Sequence, residues 1–217
     1  MTAFLFDMDG VIVDSNPHHR LAWEEFNRRY GLETTEAMHQ RMYGRRNDQI
    51  VRDFFGGGLS DDEVATRGLA KEALYRQMIA DRVEEMLVPG LREFLGKHKK
   101  VPKAVCSNAE PDNVNFLLDR SGLRPYFQVV LNGHQVSNPK PNPEIYLRAA
   151  ELLEVSPADC IVFEDSHSGV EAGRAAGMLV MGLSTTHGYL PGTDLTIDNF
   201  NSTELEAWLV ARDGVKH

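Results

Sequence analysis

Short apolar runs alternate with amphipathic stretches from residue 88 to the end of the chain. The apolar runs predict strands at Lys103–Cys106, Val129–Leu131, Cys160–Phe163, Met178–Leu183 and Leu195–Ile197. The stretches between them have helical periodicity and predict helices at Leu91–His98, Asp112–Ser121, Pro143–Leu153, Ser168–Ala176 and Thr203–Ala211. Such alternation is typical of right-handed β-α-β units, which form a parallel sheet covered by helices on both faces.

The N-terminal part of the chain adds one strand and a long helical segment. Ala3–Phe6 is a continuous apolar run and predicts a buried strand of the same sheet. The segment after it predicts helices at Pro17–Tyr30, Glu36–Tyr43, Asp48–Phe55 and Asp61–Met86, the last preceded by a capping box of Ser60 and Glu63. We therefore predict an α/β fold in which residues 1–14 and 88–217 form the sheet core and residues 15–87 form an inserted α-helical domain.

Polar side chains follow the predicted strands at the points where the strands end. They are Asp7 and Asp9, Ser107 and Asn108, Lys140, and Glu164 with Asp165. Ligands of a parallel α/β sheet bind beyond the carboxyl ends of its strands, so we expect these side chains to meet. Two carboxylates at the end of an apolar strand repel each other, and a divalent cation is the usual partner that offsets this cost. Phosphoryl transfer requires the same set: a nucleophile, a cation, and donors for the phosphoryl oxygens.

The acidic composition narrows the range of partners. The chain has 217 residues and a formal net charge of −9, so neither nucleic acid nor an anionic membrane is an expected partner. No apolar run is long enough to span a bilayer, and the N-terminus lacks the pattern of a signal peptide, which favours a cytoplasmic location. Cys106 and Cys160 lie in or beside apolar runs and are expected to be buried thiols. We expect a monomer.

Four motifs carry a resemblance to a known family. The segments FLFDMDGVIVDS, VCSN, NPKPNPEIY and IVFEDSHSGVEAGRAAGM resemble, in order and spacing, the four motifs of the haloacid dehalogenase superfamily. The helical insertion resembles the mobile cap of its β-phosphoglucomutase-like branch. The resemblance covers the whole chain. It implies a Rossmann-like parallel sheet core with an inserted α-helical cap, and Mg²⁺-dependent phosphoryl transfer through an aspartyl-phosphate.

The resemblance also implies a role for each core motif residue. Asp7 would be the nucleophile that attacks phosphorus, although by itself it could also be only a metal ligand. Asp9 would be the general acid and base that protonates the leaving alcohol and activates water. Ser107 would hydrogen-bond the phosphoryl oxygens, or could cap the helix that follows. Lys140 would neutralise Asp7 and the phosphoryl charge.

The implied Mg²⁺ ligands are carboxylates and one backbone carbonyl. Asp7 and the backbone carbonyl of Asp9 would bind the ion, and Asp165 would supply a further ligand. Glu164 would bind the ion either directly or by orienting another ligand.

The cap is expected to supply the contacts to the substrate. The resemblance implies that substrate-binding residues are His19, Trp23, Gly44, Arg46 and Lys71 from the cap, and Asn108 from the core. A histidine or a lysine on a helix face is often only a surface residue, so for His19 and Lys71 both interpretations stay open. Arg45 and Arg46 are candidates for holding a distal phosphate.

Single residues separate the competing functions. Dehalogenases and phosphonate hydrolases lack the second aspartate, so Asp9 favours a phosphate ester as the substrate. A receiver domain would carry its phosphoacceptor on an interior strand of a shorter chain, so the position of Asp7 on the first strand disfavours that class. Glu110 stands where a β-phosphoglucomutase carries a phosphate-binding lysine, and Asn47 occupies the matching place of a cap arginine. His19 and Lys71 favour the mutase. We predict hydrolysis of a small phosphomonoester, a sugar phosphate or similar metabolite, with a β-phosphoglucomutase-type mutase as the alternative.

Overall fold

A computed structural model describes residues 2–42 and 45–213 of the chain. Within these residues, one parallel sheet has the strand order β3-β2-β1-β4-β5-β6. The strands are β1 (Ala3–Phe6), β2 (Lys103–Cys106), β3 (Val129–Leu131), β4 (Cys160–Glu164), β5 (Leu179–Leu183) and β6 (Leu195–Ile197). β1 lies in the middle, hydrogen-bonded to β2 on one side and to β4 on the other. Its carboxyl end is therefore flanked by the carboxyl ends of both neighbours.

The helices form two groups along the chain. Those between β1 and residue 80 are α1 (Asn16–Arg29), α2 (Glu36–Met42), α3 (Asn47–Phe55) and α4 (Asp61–Ile79). Those that alternate with the strands are α5 (Leu91–Lys97), α6 (Pro111–Arg120), α7 (Glu144–Leu152), α8 (His167–Ala175) and α9 (Thr203–Asp213). The predicted α/β fold with a parallel sheet and inserted helices is thus confirmed. The limits assigned to the two domains stay a prediction.

The two faces of the sheet bury separate hydrophobic clusters. Successive residues of a strand point to opposite faces, so Phe4 and Phe6 pack on one side of β1 and Ala3 and Leu5 on the other. On the first face the Phe6 and Phe163 rings stack with centroids 4.7 Å apart. Helices α5, α6 and α9 cover this face, and α7 and α8 cover the opposite one. The strand ends that carry the predicted site residues therefore belong to a three-layer core.

The inserted helices have a smaller core of their own. Trp23, Phe26 and Phe54 are buried together with aliphatic residues of α2, α3 and α4. The chain enters and leaves this segment side by side, because Val13 and Leu87 form an antiparallel bridge.

One predicted helix is too long. The pattern predicts a helix through Met86, but α4 ends at Ile79 and residues 80–86 form turns. These turns bring the chain back to the exit from β1, where the backbone N–H of Asp14 donates to the carbonyl of Met86 at 2.7 Å. Tertiary pairing thus overrides the local helical preference of this stretch.

The Ser60 capping box is confirmed and should contribute measurably to stability. Ser60 Oγ accepts from the Glu63 backbone N–H, and Glu63 accepts from the Ser60 backbone N–H at 2.8 Å. Ser60→Ala should lower the free energy of unfolding by about 1 kcal/mol, as is usual for a lost N-cap. Ser156→Ala is the matched control for urea unfolding, since Ser156 starts a short turn without a side-chain cap bond. Equal effects of the two substitutions would contradict the capping role.

Candidate active site

Lys140 joins the ends of two neighbouring strands. Asp7 directly follows β1, and Glu164 is the last residue of β4. Lys140 Nζ donates to Asp7 Oδ1 and to Glu164 Oε1, each at 2.6 Å. Burial alone would lower the pKa of Lys140, but the two carboxylates outweigh it and raise the pKa above the usual range. A permanently charged ammonium group therefore lies beside Asp7.

Glu164 is held by donors on both oxygens. Besides Lys140, its carboxylate accepts from the Tyr146 hydroxyl at 2.7 Å and from the backbone N–H groups of Asp165 and Ser166. It also lies against Gly169, where an added Cβ would come within 1.8 Å of the Glu164 carboxyl carbon. This arrangement suits a residue that positions Lys140 and the 164–166 loop.

The carboxylates at this edge of the sheet are crowded. Burial raises the pKa of Asp7 to about 7, and the charges of Glu164 and Asp9 add to this rise against the opposing charge of Lys140. Burial, followed by the charges of Glu164 and Asp7, raises the pKa of Asp165 well above its usual value. More negative charge is therefore buried here than Lys140 alone balances.

Asp9 has a different environment, which connects it to the inserted helices. Its Oδ1 accepts from Ser15 Oγ at 2.5 Å and lies 3.5 Å from His19 Nε2. On the other side of the ring, His19 Nδ1 lies 2.7 Å from Lys71 Nζ. Burial alone would raise the pKa of Asp9, but the bonds from His19 and Ser15 outweigh it and lower the pKa. The Asp9 side chain is therefore oriented by Ser15 and His19.

One cavity is lined by most of the residues that the sequence analysis selected. These are Asp7, Asp9, Ser107, Lys140, Asp165, His19, Trp23, Lys71 and Asn108. Lys71 and Trp23 are almost fully buried, so neither is a surface residue. Ser107 Oγ accepts from the backbone N–H of Ala109, while Glu110 is the N-cap residue of α6. Ser107 therefore does not cap that helix.

Two of the predicted site residues that the structure describes, Arg46 and Glu164, are not among those that line this cavity. Arg46 lines an adjoining cavity together with Asn108 and Lys140, and its Nε lies 3.5 Å from Asp48. Gly44 lies outside the described residues. Glu164 is fully buried and does not line the cavity, but it contacts Lys140, which does. The assignments of Arg46 and Gly44 to substrate binding stay predictions.

The structure adds polar residues that the sequence reasoning missed. The Thr186 hydroxyl donates to Asp165, and Asn16 Nδ2 donates to the same carboxylate oxygen at 3.4 Å. Thr186 follows β5, so the rule of inspecting strand ends would have found it had it been applied to that strand. Glu72 and Asn113, on helices α4 and α6, also line the cavity. No sequence motif marks these two.

The carboxylate oxygens of Asp7 and Asp165 are chemically suitable ligands for a hard divalent cation. Oxygen ligands are those that Mg²⁺ prefers, and Asp7 and Asp165 carry the carboxylates whose burial is least compensated. Among the residues described, no three His, Cys, Asp or Glu side chains form a group arranged to hold a metal ion. A cation would therefore have to combine two carboxylates with a backbone carbonyl, phosphate or water.

No helix in the described part of the chain is both long and apolar enough to cross a membrane. Cys106 and Cys160 are buried free thiols, as predicted.

Known proteins resemble this chain in both sequence and fold. The chain is 34% identical over 175 residues to the fructose-1-phosphate phosphatase YqaB of Escherichia coli, covering 80% of this chain and 92% of that protein. It is 29% identical over 211 residues to the β-phosphoglucomutase of Bacillus subtilis, covering 95% of this chain and 93% of that one. The fold matches a crystal structure of β-phosphoglucomutase from Clostridium difficile with a TM-score of 0.86 at 24% identity, over 99% of this chain and 100% of that one.

The family assignment rests on the greater part of the sequence. The model of the haloacid dehalogenase-like hydrolases matches residues 1–177. The relatives of this chain include phosphatases and a phosphomutase of sugar phosphates. The similarity to these relatives supports a phosphatase, with a sugar-phosphate mutase as the alternative. The chain therefore belongs to the haloacid dehalogenase-like hydrolases.

Proposed function

We propose that this protein hydrolyses a small phosphomonoester, a sugar phosphate or a similar metabolite, through an aspartyl-phosphate formed on Asp7. The observation that carries the proposal is the Asp7 carboxylate at the cavity, held by Lys140 at 2.6 Å, with Asp9 in the same cavity. One carboxylate is tied to a fixed cation and the other to a hydroxyl and an imidazole. Such a pair suits two different tasks.

In the first step Asp7 attacks phosphorus and the bond from phosphorus to the alcohol oxygen breaks. The departing oxygen takes a proton from the protonated form of Asp9, and Lys140 and Ser107 stabilise the charge on the phosphoryl oxygens. In the second step water attacks the same phosphorus, and Asp9, now a carboxylate, takes the proton of that water. Inorganic phosphate leaves, Asp7 is restored, and Asp9 holds the proton that the next alcohol needs.

A bound Mg²⁺ would supply Lewis-acid stabilisation of the phosphoryl charge. Asp7, the backbone carbonyl of Asp9, and Asp165 are the proposed residues that would hold it. Glu164, with both oxygens engaged by protein donors, is proposed to orient Lys140 and the loop that carries Asp165.

Glu110, three residues after Ser107, favours hydrolysis over mutase activity. Glu110 lines the cavity, and its Oε2 lies 2.9 Å from His134 Nε2. A mutase must hold a second phosphate group while its bisphosphate intermediate turns round, and a carboxylate at this place repels that group. We propose His19, Trp23, Lys71 and Asn108 as contacts of the sugar part, since they line the same cavity.

Asp9→Asn should separate the two chemical steps. With an alkyl phosphate, turnover should fall by about 10²–10⁴-fold, because the leaving alcohol needs a proton. With p-nitrophenyl phosphate, whose leaving group needs none, the variant should release one p-nitrophenol per site in a burst and then turn over slowly. Asp81→Asn, at an exposed aspartate, is the matched control and should behave as wild type. Equal loss on both substrates without a burst would contradict the role of Asp9.

The choice between hydrolysis and isomerisation is tested with one substrate. β-Glucose 1-phosphate is supplied with Mg²⁺, with and without a glucose bisphosphate primer, and both free phosphate and glucose 6-phosphate are followed. We expect free phosphate and no isomerised sugar. Primer-dependent glucose 6-phosphate without free phosphate would establish the mutase instead.

A further inference from the structure

A buried carboxylate of the inserted helices faces the cavity. Glu72 of α4 is 3% exposed and lines the cavity that contains Asp7 and Asp9. Its Oε1 accepts from Lys71 Nζ at 2.8 Å and Asn47 Nδ2 at 2.6 Å, and its Oε2 from Asn113 Nδ2 at 2.5 Å. Glu72 is therefore ionised and fixed by three donors.

The position of Glu72 follows from a chain of contacts. Asp9 lies next to His19, His19 next to Lys71, and Lys71 next to Glu72. Glu72 is thus separated from the proposed acid and base by two side chains, on the side of the inserted helices. Burial alone would raise the pKa of Glu72, but the charges of Lys71 and His19 outweigh it and lower the pKa to about 2.

The Glu72 carboxylate neutralises the cation that would otherwise attract an anion. Lys71 is 1% exposed, and Glu72 is its ion-pair partner. Arg76, one turn further along α4, donates to Asn113 Oδ1 at 2.7 Å. The amide of Asn113 therefore lies between Arg76 and Glu72.

The other charged groups of the cavity wall lead to the same balance. Glu110 adds a second carboxylate, which faces His134 at 2.9 Å. Arg45 also lines the cavity, but its guanidinium donates to Asp53 and to the backbone carbonyls of Arg41 and Gln49. Among the described residues, the wall away from Asp7 therefore carries amides, Glu110, and the cations Lys71 and Arg45, each of which has an acidic partner.

We infer that Glu72 is a specificity-determining residue: it makes the site select monophosphates of uncharged polyhydroxylated compounds and reject bisphosphates. By pairing with Lys71 it cancels the positive charge that would attract a second phosphate group at this wall, while the amides of Asn47 and Asn113 and the paired ammonium of Lys71 suit neutral hydroxyls. This inference rests on the proposed phosphatase function and names the substrate class of the same site.

Binding to a variant that does not turn over tests the inference directly. In Asp7→Asn protein with Mg²⁺, the dissociation constants of β-glucose 1-phosphate and β-glucose 1,6-bisphosphate are measured by titration calorimetry. We expect the bisphosphate to bind more weakly than the monophosphate. Adding Glu72→Gln should shift the ratio of the two constants towards the bisphosphate by at least about tenfold, because one like charge is removed. Glu72→Asp, which keeps the charge, should preserve the original preference.

Glu85→Gln is the matched control, because it removes an exposed carboxylate of the inserted segment away from the cavity. It should leave the ratio unchanged. Bisphosphate binding as tight as monophosphate binding in the Asp7→Asn protein overturns the inference, whether or not Glu72→Gln folds. An unchanged ratio in a folded Glu72→Gln protein also overturns it. Failure of the phosphatase proposal is seen separately, as wild-type protein that releases no phosphate from any ester.

Discussion

Asp7→Asn should lower the rate of phosphate release by at least about 10⁴-fold while leaving the protein folded. An amide cannot attack phosphorus, so the covalent step is lost rather than slowed. The fold should tolerate the change, because Lys140 keeps Glu164 as a partner and the crowding around Asp165 is relieved. We therefore expect the free energy of unfolding to stay equal or to rise.

Rates of phosphate release and urea unfolding, measured on the same preparation, check this expectation. Asp81→Asn, at an exposed position, is the matched control and should change neither quantity. Hydrolysis that persists in Asp7→Asn at a rate near wild type would reject Asp7 as the nucleophile. Loss of activity together with loss of the fold would show that Asp7 is mainly structural.

Lys140→Met should have the largest effect on stability. Asp7 and Glu164 each accept from Lys140 at 2.6 Å, and Lys140 is only 7% exposed. Removing one partner of a buried ion pair leaves carboxylates without compensation, which typically costs about 3–5 kcal/mol. Catalysis should also be lost, since Asp7 and the phosphoryl oxygens lose their fixed cation.

The unfolding measurement should be made with and without Mg²⁺. If the proposed cation site exists, Mg²⁺ should restore part of the stability that Lys140→Met loses, because it supplies positive charge to the same carboxylates. Lys97→Met is the control: Lys97 and Glu206 form an exposed pair, whose loss should cost less than about 1 kcal/mol. Equal costs at Lys140 and Lys97 would contradict the buried ion-pair account.

The strand ends show how much of the site could be predicted from sequence. Asp7, Lys140 and Glu164 follow short apolar runs, and the topology of a parallel sheet brings such ends to one edge. Their contact is therefore a consequence of local pattern and topology together. The pattern alone did not reveal that Lys140 bridges both carboxylates.

The inserted helices were predicted less completely. Helical periodicity located α1 to α4, but it extended α4 through Met86, where pairing near Val13 and Leu87 turns the chain back. Glu72 carries no local signal, because a glutamate on a helix is ordinarily solvent-exposed. Its burial depends on Asn113, a residue of a different helix 41 positions away along the chain. Contacts of this kind arise only from tertiary packing.

In the proposed mechanism the phosphoryl group passes through Asp7 to water. The most direct test treats Asp9→Asn protein with p-nitrophenyl phosphate and Mg²⁺, quenches it in acid during the burst, and locates the phosphoryl group by mass spectrometry of peptides. We predict a phosphorylated carboxylate at Asp7 that decays to inorganic phosphate when the quench is delayed. Phosphate release without any phosphorylated Asp7, or a phosphoryl group on another residue, would contradict the account.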